Sequence, residues 1–353
     1  GFAVPTLANP CAIAFGDRDG DGDAVTVTVS ILSLALAACA SPVLYPSIPS
    51  AKNIQAQMAQ VNQIAGNDLK QLVRLCNPQP SERAKPSVEM DEQIRKMIAR
   101  PAPPPMRIFD DLYYVGGDWA SAWILKTTDG LVLIDALNNE DEAKRLIEGG
   151  MAKLGLDPKN IRYLIVTHGH GDHYGGAEYL IRKYGMRVVA SQIDWHMMHD
   201  HLEFDSKVWG PPPQKDISVK DGDRINLGKS SVVMHLTPGH SEGTLSPVFS
   251  VHDGIKAHRV MLWGGTSFNF GKDLHRLESY SDSTEKMRTI AQKERVDVLI
   301  SNHASFDNSI VKMKMLSANP SIENPFVMGT DAVDRALKVM GLCARTQHER
   351  FRL

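Results

Sequence analysis

The sequence predicts a fold that mixes α-helices and β-strands, of the α+β or the α/β class. Short runs of apolar, β-branched residues, which are typical of buried strands, recur along the chain, and segments with helical periodicity separate them in both halves. A histidine-rich loop and two further histidines each follow such a strand. The chain has 353 residues, of which 42% are hydrophobic, and this is enough for one large domain with a substantial core.

Residues 1–39 are predicted to be a leader. Residues 24–38 form an uncharged apolar run, which is short for a membrane span and typical of the core of a signal peptide. The run ends in Leu-Ala-Ala-Cys, which resembles the lipobox of bacterial lipoproteins, so Cys39 would carry a lipid anchor. We therefore expect an exported protein, periplasmic or anchored to the membrane. Residues 17–23 resemble the start of a calcium-binding loop. Such a loop needs a Glu at its twelfth position, where this chain has Thr28, so no calcium site is predicted.

Residues 40–105 are predicted to form an N-terminal arm, with a weak helical pattern over residues 51–75 and a stiff Pro-rich linker at residues 101–105. A disordered tether is the alternative interpretation. Cys76 in this arm and Cys343 near the C-terminus are the cysteines left after the leader. In an exported protein they would form a disulfide, or they would remain as two buried thiols.

Residues 106–353 are predicted to form the main domain, in which Asp129-Gly130 marks a hairpin turn. The predicted strands are residues 107–109, 112–115, 121–126, 131–134, 161–166, 231–236, 259–262 and 296–300. The predicted helices are residues 139–154, 177–184, 281–293 and 328–343, with a partly exposed helix over residues 195–201.

The run Thr-His-Gly-His-Gly-Asp-His at residues 167–173 is the strongest functional signal. Desolvating such a cluster without a partner would be costly, and imidazole and carboxylate are ligands that zinc accepts. Since strand 161–166 precedes it, the loop leaves a rigid base that aims its side chains at one point. The alternative is a solvated His-rich loop.

Two more histidines stand just past predicted strands. His240 follows strand 231–236, and His303 follows strand 296–300. A single histidine in such a place is more often capped or solvent-facing, but the repeated placement indicates a shared site. Because four ligands from one loop would leave two metal ions under-coordinated, we expect these two residues to complete the set.

On these motifs, residues 106–345 resemble the metallo-β-lactamase superfamily. The resemblance implies an α+β fold, the αββα sandwich, with two Zn²⁺ ions per chain. It also implies that Asp135 supports the metal loop, although an ordinary turn residue is the alternative. The ligands it implies are His168, His170 and His240 for the first ion, and Asp172, His173 and His303 for the second.

The chain departs from many members of that superfamily at Gly265. Glyoxalase II types and acyl-homoserine lactonases carry a bridging Asp there, in a Gly-Asp-Thr, and glycine cannot bridge two ions. Other zinc enzymes place a Cys ligand where this chain has Thr266. The remaining three-plus-three ligand set resembles the third subclass of class B β-lactamases and their relatives of undefined substrate.

The resemblance implies a hydrolase that acts on a small molecule. Zinc lowers the pKa of bound water to about 7, and the hydroxide would be oriented by Asp172 as the catalytic residue. The leading hypothesis is β-lactam hydrolysis, and the alternative is a lactonase or esterase, because fold and metals do not fix the substrate. Tyr174, Thr266 and Ser267 are candidate substrate contacts or, alternatively, packing residues.

Other function classes are less well supported. A net charge of −2 and the absence of a Lys/Arg block argue against a nucleic-acid partner. Diiron flavoproteins that resemble this fold carry a Glu at the position of His170. A metal-stabilised binding protein without activity would be expected to have lost a ligand, and none is missing.

Overall fold

The computed structural model describes residues 49–353, so the predicted leader and Cys39 lie outside the described residues. Twelve strands form two sheets within that range. The first sheet contains, in spatial order, β1 (Met106–Arg107), β2 (Leu112–Tyr114), β3 (Trp123–Thr127), β4 (Gly130–Ile134), β5 (Ile161–Ile165), β6 (Arg187–Ser191) and β7 (Ile217–Val219). The second contains β8 (Arg224–Leu227), β9 (Ser230–Leu236), β10 (Leu245–Asp253), β11 (Lys256–Trp263) and β12 (Val298–Ser301), in the same relative order.

Most of the long helices cover the outer faces of the two sheets. The helices are α1 (Ala51–Ala65), α2 (Lys70–Val73), α3 (Val88–Ile98), α4 (Glu140–Glu142), α5 (Gly149–Lys153), α6 (Gly171–Tyr174), α7 (Ala177–Tyr184), α8 (Gln192–Asp200), α9 (Leu274–Glu294), α10 (Ala304–Asp307), α11 (Ser309–Ala318) and α12 (Thr330–Arg352). A π-helical segment, Ala143–Glu148, joins α4 to α5. Together these three segments occupy the range of the helix predicted over residues 139–154. Short 3₁₀ turns occur at Arg74–Cys76 and Pro158–Asn160.

The central strands of both sheets, such as β4 and β12, are buried on both faces, which explains their nearly continuous apolar sequences. In β4, Val132 belongs to the core between the sheets, whereas Leu133 belongs to the core under the π-helical segment, α7 and α8. In β11, Val260 faces the core between the sheets and Met261 faces the core under α9 and α12. This alternation, with its period of two residues, produces the predicted αββα sandwich.

The mixed strand directions bring several strand ends to one edge. Strands β4, β5, β6 and β7 run parallel to one another, and β11 runs parallel to β12, whereas the remaining pairs are antiparallel. Ala120 forms an isolated bridge with His303, which links the first sheet to the loop after β12. Loops that follow β4, β5, β9 and β12 can therefore contribute to one site.

Part of the predicted arm belongs to the folded body. Val61 of α1 and Leu72 of α2 are buried in the same cluster as Leu337 of α12. Cys76 and Cys343 form a disulfide that joins this part of the arm to α12. The tether interpretation is therefore wrong for α1 and α2.

Two C-terminal helices are longer than their sequence patterns indicate. Helix α9 begins seven residues before the predicted start, where the Asp273 side chain accepts a hydrogen bond from the backbone N–H of Arg276. Helix α12 continues nine residues beyond the predicted end at Cys343. Among residues 49–353, no helix combines the length and the apolar character that a membrane span requires.

Candidate metal centre

Side chains from three loops meet in one buried pocket after β5, β9 and β12. Within each of two groups of three, the potential ligand atoms all lie within 4.8 Å of one another. The two groups adjoin, because the ring centroids of His168 and His173 are 4.2 Å apart. The first group, here called the first triad, is His168, His170 and His240, and the second triad is Asp172, His173 and His303. The structure thus brings together all six residues that the sequence suggested.

In the first triad, each imidazole uses one nitrogen for a protein oxygen. Nδ1 of His168 donates to the carbonyl of Gly264 at 2.6 Å, and Nδ1 of His240 donates to the carbonyl of Ser267 at 2.7 Å. The free Nε2 atoms of these two rings are 3.0 Å apart. Nε2 of His170 instead donates to the Glu203 carboxylate at 3.2 Å. Such partners fix the tautomer and aim the other nitrogen at a metal ion.

The second triad follows the same rule. Nδ1 of His173 donates to Asp135 Oδ2 at 2.8 Å, and Nδ1 of His303 donates to the carbonyl of Trp119 at 3.2 Å. Nε2 of His173 is fully buried and has no hydrogen-bond partner, although Asp172 Oδ2 is 3.3 Å away. A buried nitrogen without a partner is costly, and a cation between these atoms would satisfy it. The donor set therefore fits a metal ion.

Asp135 supports the metal loop through three hydrogen bonds. Its Oδ1 accepts from the Thr167 N–H at 2.8 Å, and its Oδ2 accepts from Thr167 Oγ1 at 2.9 Å as well as from His173. The residue has a φ of 61°, a left-handed conformation that Asp tolerates better than most residues. The carboxylate thus holds both the start of the loop and one ligand.

Burial and neighbouring charges set the protonation of the site. Burial, reinforced by the other imidazoles, lowers the pKa of His168 and His240 well below the usual value, and burial lowers that of His303 to about 4. Burial also disfavours charge on His173, but Asp172 and Asp135 outweigh it and raise the pKa of His173 to about 10. Burial works against the Asp172 carboxylate too, yet the charge of His173 holds its pKa below the usual range. Three of these imidazoles are therefore unprotonated at neutral pH and free to bind a metal.

Three supporting residues were not predicted from the sequence. Asp194 of α8 accepts hydrogen bonds from the N–H groups of Gly169 and Gly243 at 2.9 and 3.0 Å, so it joins two ligand loops. Asn302 donates to the Gly264 carbonyl at 2.6 Å, and its position next to His303 was the signal that could have identified it. Glu203, the partner of His170, lies in an irregular segment without any motif.

Gly265 lies directly against a metal-ligand candidate. A Cβ atom at this position would be 2.6 Å from Cβ of His240, a separation that real structures do not show. The bridging carboxylate found in many members of the superfamily that the sequence resembles therefore cannot be added here unless His240 moves.

The predicted substrate contacts all have structural partners. Tyr174 is buried in the core under α7 and α8, and Thr266 is buried with its Oγ1 3.3 Å from Ser301 Oγ. Ser267 supplies the carbonyl that accepts from His240. Contact between these three residues and a substrate stays a prediction.

The comparisons with known proteins agree with this architecture. Residues 115–255 match the family model of the metallo-β-lactamase superfamily. The chain is similar to the solved structure of BJP-1, a subclass B3 metallo-β-lactamase of Bradyrhizobium japonicum, at 25% identity over 69% of this chain and 93% of that chain, with a TM-score of 0.59. It is also similar to native FEZ-1 metallo-β-lactamase from Legionella gormanii, at 25% identity over 67% and 93% of the two chains, with a TM-score of 0.58.

Among curated proteins, the chain is similar to a hydroxyacylglutathione hydrolase of Rhodopseudomonas palustris (strain BisA53). The two are 32% identical over 121 residues, which is 34% of this chain. The chain spans only 40% and 39% of the length of the first two curated relatives that it matches. These findings agree with the fold and the two triads, and they show that residues 115–255 match the metallo-β-lactamase superfamily.

Proposed function

We propose that this protein is a dizinc hydrolase that opens an amide ring, with β-lactams as its substrate class. One observation carries the proposal: each of the five histidines in the two triads commits one nitrogen to a protein group and leaves the other available in the pocket. The second nitrogens contact only other side chains of the two triads, and that of His173 has no hydrogen-bond partner. A site built only for stability would not need this arrangement.

The residues of the chain divide the work between binding and positioning. His168, His170 and His240 would hold one ion, and the second triad would hold the other. When bound, the ions would polarise a substrate carbonyl and lower the pKa of water to about 7. Asp172 would orient the attacking water, while Asp135 keeps His173 in the tautomer that faces the pocket.

Gly265 supports a β-lactamase over the other branches of the superfamily. The space that a bridging carboxylate needs is taken by His240, so the ligand set remains three plus three. The similarity to BJP-1 covers 93% of that β-lactamase, whereas the similarity to the hydroxyacylglutathione hydrolase covers 40% of that protein.

A second candidate is hydrolysis of a lactone, ester or thioester. The curated similarity to a hydroxyacylglutathione hydrolase favours it, because that relative is named for such a reaction. The same pocket would serve both candidates, and the substrate must be determined by experiment.

A substrate panel with and without chelator tests the proposal. The panel contains a cephalosporin, a carbapenem, a lactone, a p-nitrophenyl ester and an acyl-glutathione thioester. We expect β-lactam turnover that chelator abolishes, that zinc restores and that His168→Ala or Asp172→Ala eliminates. The control is His252→Ala, which removes an exposed histidine on β10 that pairs with Asp111 and belongs to neither triad.

The outcomes separate the two candidates. Turnover confined to the lactone or the esters would overturn the β-lactam assignment and leave the metal hydrolase intact. Turnover by His168→Ala within a few-fold of the parent protein would refute the metal-ligand assignment itself.

We also propose that the protein is exported and anchored through Cys39. The disulfide between Cys76 and Cys343 supports an oxidising compartment. Labelling of cells with a palmitate analogue should modify the parent protein and leave Cys39→Ser unmodified. Equal labelling of the two would contradict the anchor.

A further inference from the structure

Two buried charged side chains lie behind the first triad. The Glu203 carboxylate accepts the hydrogen bond from Nε2 of His170, and its Oε1 contacts the guanidinium of Arg276 in the first turn of α9. The Glu203 and Arg276 side chains are only 8% and 9% exposed. A second guanidinium, that of Arg83 in the arm, lies 3.4 Å from Oε1 of Glu203, but its side chain is 39% exposed. Arg276 is therefore the principal counter-ion of Glu203.

Arg276 also contacts the loop that carries His240. Its Nε donates to the carbonyl of Gly239 at 2.8 Å, and Gly239 immediately precedes His240 in the chain. The same guanidinium contacts Glu203, which accepts from His170. One arginine side chain therefore joins the supports of two of the three ligands in the first triad.

Stability alone does not account for this arrangement. Burying an ion pair costs desolvation that the attraction between the charges often fails to offset. Nη2 of Arg276 is also buried and has no hydrogen-bond partner among residues 49–353, which adds to the cost. The guanidinium is held in place by the Phe270 ring, whose centroid is 4.1 Å away. An effect on the neighbouring metal ligands explains the buried pair better than a contribution to the stability of the fold.

The second triad is supported by other groups. Its two histidines donate to Asp135 and to the carbonyl of Trp119. Among residues 49–353, neither Glu203 nor Arg276 forms a hydrogen bond or an ion pair with a member of the second triad. A change in the buried pair should therefore act on one metal site and spare the other.

We propose that Glu203 and Arg276 are positioning residues that set the metal affinity of the first site, the one formed by the first triad. The inference deepens the proposed function and rests on it. The Glu203 carboxylate is a charged acceptor, so it strengthens the hydrogen bond from His170 and makes the opposite ring nitrogen a better electron donor to a cation. Arg276 compensates the charge of that carboxylate and, through the Gly239 carbonyl, holds the two ligand loops together.

The test measures the zinc affinity of each site separately. In a His303→Ala background only the first triad is complete, and in a His168→Ala background only the second is complete. Glu203→Gln, which removes the charge and keeps the length of the side chain, is introduced into both backgrounds. Competition with a chromophoric chelator then gives the affinities. We expect the first site to bind zinc about 10–100-fold more weakly and the affinity of the second site to change less than twofold.

Arg276→Lys is the second variant. It keeps the positive charge but loses the planar fork that reaches both Glu203 and the Gly239 carbonyl. We expect the affinity of the first site to fall about 10-fold and that of the second site to stay within twofold. The matched control is Glu294→Gln, which removes an arginine-paired carboxylate at the end of α9 outside both triads and should change neither affinity. Urea unfolding of the metal-free proteins accompanies each titration.

Two results would overturn the inference. One is a first-site affinity that stays within twofold of its background in both variants. The other is an equal weakening of the two sites in step with a loss of stability, which would show that the pair supports the fold as a whole.

Zinc binding requires no turnover, so failure of the inference is distinguishable from failure of the proposed function. Selective loss of affinity at the first site supports the inference even if no β-lactam is hydrolysed. Turnover of β-lactams by the parent protein, with first-site affinity unchanged in the variants, contradicts the inference and leaves the proposed function intact. Absence of zinc binding by the parent protein contradicts both.

Discussion

Replacing Asp135 with Asn tests how the metal loop is supported. Asn tolerates the left-handed backbone at this position, where φ is 61°, so the substitution changes the chemistry of the side chain more than the backbone. The carboxylate accepts from the Thr167 N–H, from the Thr167 hydroxyl and from His173. An amide has only one acceptor atom, and its NH₂ group cannot accept.

Both orientations of the new amide leave a buried donor without an acceptor. If the NH₂ group replaces Oδ1, the Thr167 N–H loses its partner, and if it replaces Oδ2, the His173 N–H loses its partner. One unsatisfied buried donor costs about 1–3 kcal/mol. Loss of a carboxylate that orients a ligand histidine typically lowers metal affinity about 10–100-fold.

The measurements are urea unfolding of the metal-free protein and zinc affinity by chelator competition. Asp135→Asn should show both losses, whereas the control Asp141→Asn, at an exposed helical carboxylate, should show neither. Zinc affinity within twofold of the parent value, together with stability within about 0.5 kcal/mol, would refute this role of Asp135.

Three further predictions concern the glycine, the disulfide and acid stability. Gly265→Ala should cost about 1–3 kcal/mol and weaken zinc binding, because its Cβ would displace His240; chelator competition that shows parental affinity would contradict it. Loss of the Cys76–Cys343 bond in a double Ser variant should lower the free energy of unfolding by up to about 5 kcal/mol, and an unchanged urea midpoint would refute this. Metal-free protein should lose stability as the pH falls from about 6.5 towards 4. The pKa of His303 is about 4 in the folded state and about 6.5 in the unfolded chain, so in this range the proton binds the unfolded chain more tightly. Urea midpoints that stay flat over this range would contradict the prediction.

The ligand set was predictable because strand ends are visible in the sequence. The apolar runs before His168, His240 and His303 indicate buried strands, and their ends meet at one edge of the sandwich. The helix Ala177–Tyr184 was also predicted at its observed bounds, because its apolar face and the glycine at its end are local signals.

The supporting residues could not be predicted because their roles depend on contacts distant in sequence. Glu203 acquires its role only when His170, 33 residues earlier, and Arg276, 73 residues later, meet it in the fold. Asp194 similarly joins Gly169 to Gly243 from a helix with no distinctive pattern. The start of α9 was missed because its first turn has few apolar residues and depends on an Asp cap.

Diffraction from crystals of the zinc-loaded protein at the zinc absorption edge tests the central claim most directly. We predict two anomalous peaks about 3.5–4 Å apart, one among His168, His170 and His240 and the other at the second triad. A single peak, or peaks elsewhere on the molecule, would contradict the account.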